Sequence, residues 1–323
     1  MKRPRRQFLH LTAGAVALPT LSRIAWAQGY PSRPVRLIVG FPPGSAPDIV
    51  ARVISQALSE RLRQQVIVDN RPGAGSNIGT EVAVKSPPDG YTLLMAVGTN
   101  AINATLYDGL NFNFGRDIAP VASVALTASV MIIHPSIPAR TVPEFVTYAK
   151  ANPDKISMAS SGIGSLTHIS GELFKIMAGI RMLHVPYRTS VFPDLLSGQV
   201  HVLFSPIPAA VGYIKAGSLR PLAVTSAKRQ DTLPDIPAVG DFVTGYEANG
   251  WYGIVAPRST PAGIVDKLHS EINASTADPK VKDRLAELGA TVFASSSADF
   301  GKFISEDIDK WSKVIRTANI KPE

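Results

Sequence analysis

"VRLIVGFPPGSAPDIVARVISQAL", residues 35–58, decides the fold. Apolar-rich residues run into Phe-Pro-Pro-Gly-Ser, and a helical pattern begins at once. Ile49, Val50, Val53, Ile54, Ala57, Leu58 and Leu62 recur on one face. A buried strand that turns straight into a helix opens a βα unit. The loop between them has few reactive side chains, and a lone Asp48 stands at the helix mouth. Catalysis by side chains needs more than that. Binding by backbone needs less, because free N–H groups and the positive end of a helix macrodipole favour an anion.

The unit recurs. "YTLLMAV" leads to "GTNAIN", "KISMAS" to "SGIGSLTH", "HVLFS" to "PIPAAV" and "LRPLAVT" to "SAKR". Alternating strands and helices predict an α/β fold with parallel sheets covered by helices. Ligands of such sheets bind at the carboxyl ends of the strands, where Gly, Ser, Thr, Asn and Pro collect here. Further helices are signalled by a capping box at Thr141–Glu144, by the stripe Ile169, Leu173, Ile176 and Met177 before Gly179, by Thr260-Pro261, and by a long stripe over 297–317. Two apolar segments, 120–136 and 249–257, lack a helical period and read as strands crossing between two lobes. Two crossings make one lobe discontinuous: 28–127 plus 253–323 form lobe 1, and 128–252 form lobe 2.

The chain of 323 residues is 45% apolar and 18% charged, which suits two globular lobes. The net charge of +8 misleads. Residues 1–27 hold Lys2, Arg3, Arg5, Arg6 and Arg23 and no acid, and the remainder is too mildly and diffusely basic for a nucleic-acid footprint. Those 27 residues read as an export signal, with a basic start, a short apolar stretch and "AWA" before a cut after Ala27. "RRQFLH" fits the twin-arginine route. No apolar run is long enough to cross a membrane. The lack of cysteine excludes disulfides, thiolate metal sites and a cysteine nucleophile.

No His-x-x-x-His pair or calcium-loop spacing occurs, so no metal is expected. No Gly-x-Ser-x-Gly elbow occurs either. "VIVDNRPGAGSNIG" is glycine-rich after a strand but misses the dinucleotide spacing, and no acid ends the next strand. No cofactor and no catalytic residue are therefore expected. Two anion-type helix mouths remain. Pro43-Gly44-Ser45 opens one helix, and the run Ser160 to Ser165, with Ser161, Gly162, Gly164 and Ser165, opens another. They fall in different lobes, as a cleft closing on a small anion requires. A rival reading makes Ser161 or Ser165 a hydrolytic nucleophile activated by His168, which requires hydrogen-bond contact with an oriented imidazole.

The same residues resemble a known family. "YPSRPVRLIVGFPPGSAPDIVAR", "SSGIGSLTHISGELFK", "HVPYR", "DLLSGQV", "LPDIPAV" and "WYGIVAP", in this order, resemble the solute-binding proteins of tripartite tricarboxylate transporters, the Bug family. The resemblance covers essentially all of the chain after the export segment. It implies a type II periplasmic binding protein fold with an interlobe cleft and a small carboxylate held mostly by backbone, hydroxyls and water. It places Phe41, Pro43, Gly44, Ser45 and Asp48 on the first-lobe wall, Thr99 and Asn100 after the next strand, and Tyr187 and Arg188 on the second lobe. Arg188 is either a partner for a second carboxylate or an ordinary surface arginine. The chain departs from the family at Ser45, usually glycine, at Phe192 in a shortened loop, and at Ser205, usually aspartate. The implied protein is a periplasmic monomer that delivers its anion to a large and a small membrane permease subunit. A receptor that presents its ligand to a signalling protein is the alternative within binding.

Overall fold

The computed structural model describes residues 29–322. The expected export segment and its cut after Ala27 lie outside the described residues. The first part of the chain contains β1 (Val35–Val39), α1 (Ala46–Leu62), β2 (Val66–Asn70), α2 (Asn77–Val84), β3 (Thr92–Val97), α3 (Gly98–Leu106), α4 (Phe114–Asp117) and β4 (Ile118–Thr127). The middle contains β5 (Ser129–Ile133), α5 (Val142–Ala151), β6 (Ser157–Ser160), α6 (Leu166–Ala178), β7 (Leu183–Pro186), α7 (Phe192–Ser197), β8 (Val202–Pro206), α8 (Ile207–Lys215) and β9 (Arg220–Val224). The last part contains β10 (Gly250–Pro257), α9 (Ala262–Ala277), α10 (Pro279–Glu287), β11 (Ala290–Val292) and α11 (Ser297–Thr317).

These strands form two sheets built alike. The first runs β11-β4-β10-β3-β1-β2 and the second β7-β6-β8-β5-β9. In the first, β1 pairs parallel with β2 and β3, and β10 lies antiparallel between β3 and β4. In the second, β6 pairs parallel with β7 and β8, and β5 lies antiparallel between β8 and β9. In each sheet an antiparallel strand, β10 in the first and β5 in the second, is where the chain enters from the other sheet; the short edge strand β11 also lies antiparallel, against β4. The chain crosses once at Ala128, between β4 and β5, and returns through 225–249. The apolar segment 120–136 thus supplies strands to both sheets. The segment 249–257 is no crossing strand, since β10 pairs with β4 along its length from Gly250 onward.

Strands covered on both faces explain the continuous apolar runs: every residue of β3 is buried. The helix signals act locally as physics demands. Thr141 accepts from the Glu144 N–H at 3.3 Å, but the Glu144 carboxylate reaches the Arg140 N–H, one residue before the capping-box position. Gly179 ends α6 in the left-handed conformation, with φ of 62°. One core cluster joins the two halves, with Phe145, Phe174 and Phe204 of the second sheet's side sharing it with Trp251, Phe300 and Trp311 of the first.

Candidate functional site

The two sheets face one another across a cleft of about 420 Å³, within the range of small-molecule sites. Its rim is made of helix beginnings. Ala46 and Pro47 come from α1, Gly98 and Thr99 from α3, Leu166 from α6, and Pro208 and Ala209 from α8. The N–H groups of Ala46, Gly98, Thr99, Leu166 and Ala209 have no acceptor among the described residues. Four helix N-termini thus present open donors to one space. No lysine, arginine or histidine lines it among the described residues.

The first expected mouth is used differently from the expectation. Its N–H donors are spent within the loop: Gly44 N–H donates to Asp48 Oδ2 at 2.8 Å, and Ser45 N–H to the Pro42 carbonyl at 3.2 Å. The Ser45 hydroxyl also donates to Pro42, at 2.7 Å, and leaves the helix uncapped. Asp48 is buried and its charge is consumed by neighbours. Besides Gly44, it accepts from Arg52 Nε at 2.9 Å and Asn70 Nδ2 at 2.9 Å. Asn70 Nδ2 also donates to the Phe41 carbonyl at 3.0 Å, so this pair ties both ends of the loop. Burial alone pushes the Asp48 carboxyl up, but the hydrogen bonds from Arg52, Gly44 and Asn70 outweigh it and hold it below the usual carboxylate range. Gly44 has φ of +80° with open space where a Cβ would stand, so it is needed for its backbone conformation, not for room. Of the expected first-lobe residues, Phe41 and Thr99 line the cleft, while Pro43, Gly44, Ser45 and Asp48 do not. Asn100 is buried, accepts from the Val97 N–H at 2.8 Å and donates to Thr80 Oγ1 at 2.8 Å, so its amide holds the α3 mouth together.

The second mouth likewise spends most of its N–H groups within the loop. Ser161 N–H donates to Thr167 Oγ1, Gly162 N–H to Ser160 Oγ, Gly164 N–H to His168 Nδ1 and Ser165 N–H to the Gly162 carbonyl. The open donor that lines the cleft is Leu166, one residue further on. A loop this tight must satisfy its own polar groups before it can offer any. Gly164 has φ of +75°, and a Cβ there would lie 2.2 Å from Leu106 Cδ2, so this loop rests against α3 of the other lobe.

Tyr187 and Arg188 lie after β7, outside the cleft lining. The Tyr187 hydroxyl donates to Asp194 Oδ2 at 2.6 Å, and burial together with Asp194 pushes the phenol up to about 12. Arg188 is exposed. Ser205 is buried and its hydroxyl turns to the Pro206 carbonyl at 3.1 Å. Phe192 stacks on Tyr213 with ring centroids 4.6 Å apart, inside its own lobe. The α8 mouth and the walls formed by Tyr252, Leu288 and Leu166 are the features sequence reasoning missed, whereas Thr99 and Asn100 had marked the α3 mouth. The α8 signal was present, since "PIPAAV" directly follows a strand, but it lacks the Gly-Ser richness of the two expected mouths.

The geometry contradicts the hydrolase reading. The Ser165 hydroxyl donates to the Gly162 carbonyl at 2.6 Å and accepts the His168 backbone N–H. The Ser161 hydroxyl meets Thr167 Oγ1 at 3.0 Å. The His168 ring instead accepts from Gly164 through Nδ1 and faces Glu172 Oε1 across 3.6 Å through Nε2. Ser160 does meet His184 Nε2 at 2.7 Å, but Ser160 is completely buried, with no path for a substrate. Burial, reinforced by the stacked His168, lowers His184 to about 4.

The chain is similar to known proteins over most of its length. Residues 50–320 match the model of the tripartite tricarboxylate transporter family receptor. BugT of Bordetella pertussis is 32% identical over 302 residues, covering 91% of this chain and 92% of that protein. The solved structure of R. palustris Rpa4515 with adipate is 35% identical, with a TM-score of 0.76, covering 91% of this chain and all of the other. The periplasmic binding protein BugD is 31% identical, with a TM-score of 0.73, covering 91% of this chain and all of the other. These neighbours are solute-binding receptors, not enzymes.

Proposed function

Since the chain belongs to the tripartite tricarboxylate transporter receptor family, we propose that it captures a small organic carboxylate in the interlobe cleft and delivers it to the membrane permease subunits of such a transporter. It performs no reaction. The observation that carries this reading is the set of open N–H groups of Ala46, Gly98, Thr99, Leu166 and Ala209, brought to one cleft by four helix mouths. A carboxylate accepts several such hydrogen bonds, and the converging macrodipoles supply positive potential without a cationic side chain. Backbone donors are fixed by the fold, so they lose little entropy on binding. Phe41 and Thr99 touch the ligand. Gly44, Ser45 and Asp48, and Ser161, Gly162, Gly164 and Ser165 opposite, hold the mouths in place. Asn100 and Ser205 act from below the surface, and Tyr187 and Arg188 flank the second lobe.

The lobes, 28–127 with 253–323 and 128–252, close on the ligand as rigid bodies about the crossings. The protein works as a monomer in the periplasm, after export removes residues 1–27. A thermal-shift series tests the binding reading. Carboxylates raise the melting temperature in a saturable way, because a ligand of the folded state alone stabilises it by about 2.7 kcal/mol at a hundred times its Kd. Alkylamines of equal length leave it unchanged. A panel of mono-, di- and tricarboxylates without any shift overturns the reading.

A further inference from the structure

The helix α11 buries one charged residue. Phe300, Ile304, Trp311, Val314 and Ile315 fill its inner stripe. Between Ile304 and Trp311, where the period calls for another apolar residue, stands Asp307, 4% exposed. A carboxylate there costs more to bury than a leucine, and packing alone does not ask for it. Its two oxygens have separate partners. Oδ2 accepts from the Trp251 indole Nε1–H at 2.8 Å, and Oδ1 meets Lys310 Nζ at 2.8 Å. Lys310 follows on the same helix, its nitrogen over the Trp311 ring.

Trp251 belongs to the cleft. It is among the lining residues and lies at the start of β10, beside the end of β3. Tyr252 pairs with Val97, so Trp251 stands next to Gly98, the first residue of α3. The indole edge that donates to Asp307 also meets Gly98: a Cβ there would lie 3.5 Å from Nε1 and 3.6 Å from Cδ1. The rest of the ring meets Phe300 and Phe303 edge-on, with centroids 5.7 and 5.8 Å apart. Those contacts fill space, whereas a hydrogen bond to an ionised acceptor fixes an orientation. Gly98 and Thr99 supply two of the open N–H groups, and α11 packs along α3. We infer that Asp307, outside the cleft lining, is a positioning residue for carboxylate capture. It fixes the Trp251 indole, and the indole holds the α3 mouth so that the Gly98 and Thr99 N–H groups stay aimed into the cleft. This rests on the carboxylate-receptor reading and deepens it.

Calorimetry and ¹H–¹⁵N correlation spectra of the exported protein test it. The probe is whichever of hexanoate, adipate, citrate and the wider carboxylate panel binds wild type most tightly. Asp307→Leu removes the acceptor and completes the apolar stripe. It moves the Trp251 indole signal upfield and weakens the probe about tenfold. Asp307→Asn keeps an oxygen for the indole and holds the probe within about threefold of wild type. A role confined to stability lowers the melting temperature and leaves the Kd of the folded protein alone. Trp251→Phe deletes the indole signal, which assigns it, and weakens the probe to a similar degree. With no indole N–H to hold, Asp307→Leu then adds nothing, so the double variant binds as Trp251→Phe does. The double variant leaves no orphaned indole donor, so it decides the matter where Asp307→Leu alone fails to fold. An unchanged Kd in folded Asp307→Leu or in Trp251→Phe overturns the inference and leaves the carboxylate receptor standing. So does a further loss of about tenfold in the double variant over Trp251→Phe. Absence of binding by the whole panel overturns both.

Discussion

Asp48 shows how a carboxylate is tolerated beside the proposed anion site. The sequence places a lone acid at a helix mouth, where it opposes a negative ligand. The fold answers by giving it the Gly44 N–H, Arg52 and Asn70, so that it acts as a clamp on the loop and not as a ligand contact. Those partners are far apart in sequence, and no local pattern makes them legible. Asp48→Asn keeps the shape but loses charge-assisted hydrogen bonds. Because the Arg52 side chain is 54% exposed, the cost is about 1–2 kcal/mol, measured by urea unfolding. The sign with pH follows. The Asp48 carboxyl titrates lower in the folded chain than its ordinary 3.8, so the folded state binds fewer protons. Its contribution is complete above that value and is lost as pH falls through and below it, so wild type and Asp48→Asn converge in stability below roughly pH 4. His184 acts in another window. Its folded value of about 4 lies below the ordinary 6.5, so stability declines as pH drops from about 6.5 to about 4, and His184→Gln flattens that slope in a series of melting curves. Gly44→Ala costs about 1 kcal/mol through its positive φ alone, since nothing crowds the new methyl group.

At the scale of elements, periodicity was a sound guide where an apolar stripe meets a single core. α1, α6 and α11 occupy the spans their stripes predict, and α11 covers Ser297–Thr317. The site was legible as a place and not as a set of donors. Small residues after strands mark the right ends of β1, β3, β6 and β8. Which N–H groups remain open depends on loop hydrogen bonds that spacing does not encode, and this moves the donors from Gly44 and Ser161 to Ala46 and Leu166. The contact of Gly164 with Leu106 ties the second mouth to the C-terminal end of α3 in the other lobe. Gly164→Ala drives a methyl group into Leu106 Cδ2 at a positive φ, destabilising the protein by about 2 kcal/mol. Leu106→Ala in the same chain relieves the clash, leaving the φ strain. A double-mutant cycle therefore gives a coupling of about 1 kcal/mol, and additivity of the two changes contradicts the contact.

For the whole molecule, the sequence shows two lobes through two interruptions in helical periodicity, at 120–136 and 249–257. The first holds the crossing at Ala128. The second sits just after it, because a strand that enters a sheet and the segment that carries it there are equally apolar. Export belongs to this scale too: Arg5→Lys with Arg6→Lys blocks export through a twin-arginine route, and cell fractionation reads the outcome. The claim on which the account turns is that one carboxylate is held by backbone N–H groups from four helix mouths in both lobes. An amide ¹H–¹⁵N correlation titration with a carboxylate that raises the melting temperature measures this at each donor. The account predicts that the amide signals of Ala46, Gly98, Thr99, Leu166 and Ala209 move together and saturate at one Kd, with their protons shifted downfield as hydrogen bonds to the carboxylate form. Saturable binding that leaves these five signals in place and moves those of another surface would contradict it.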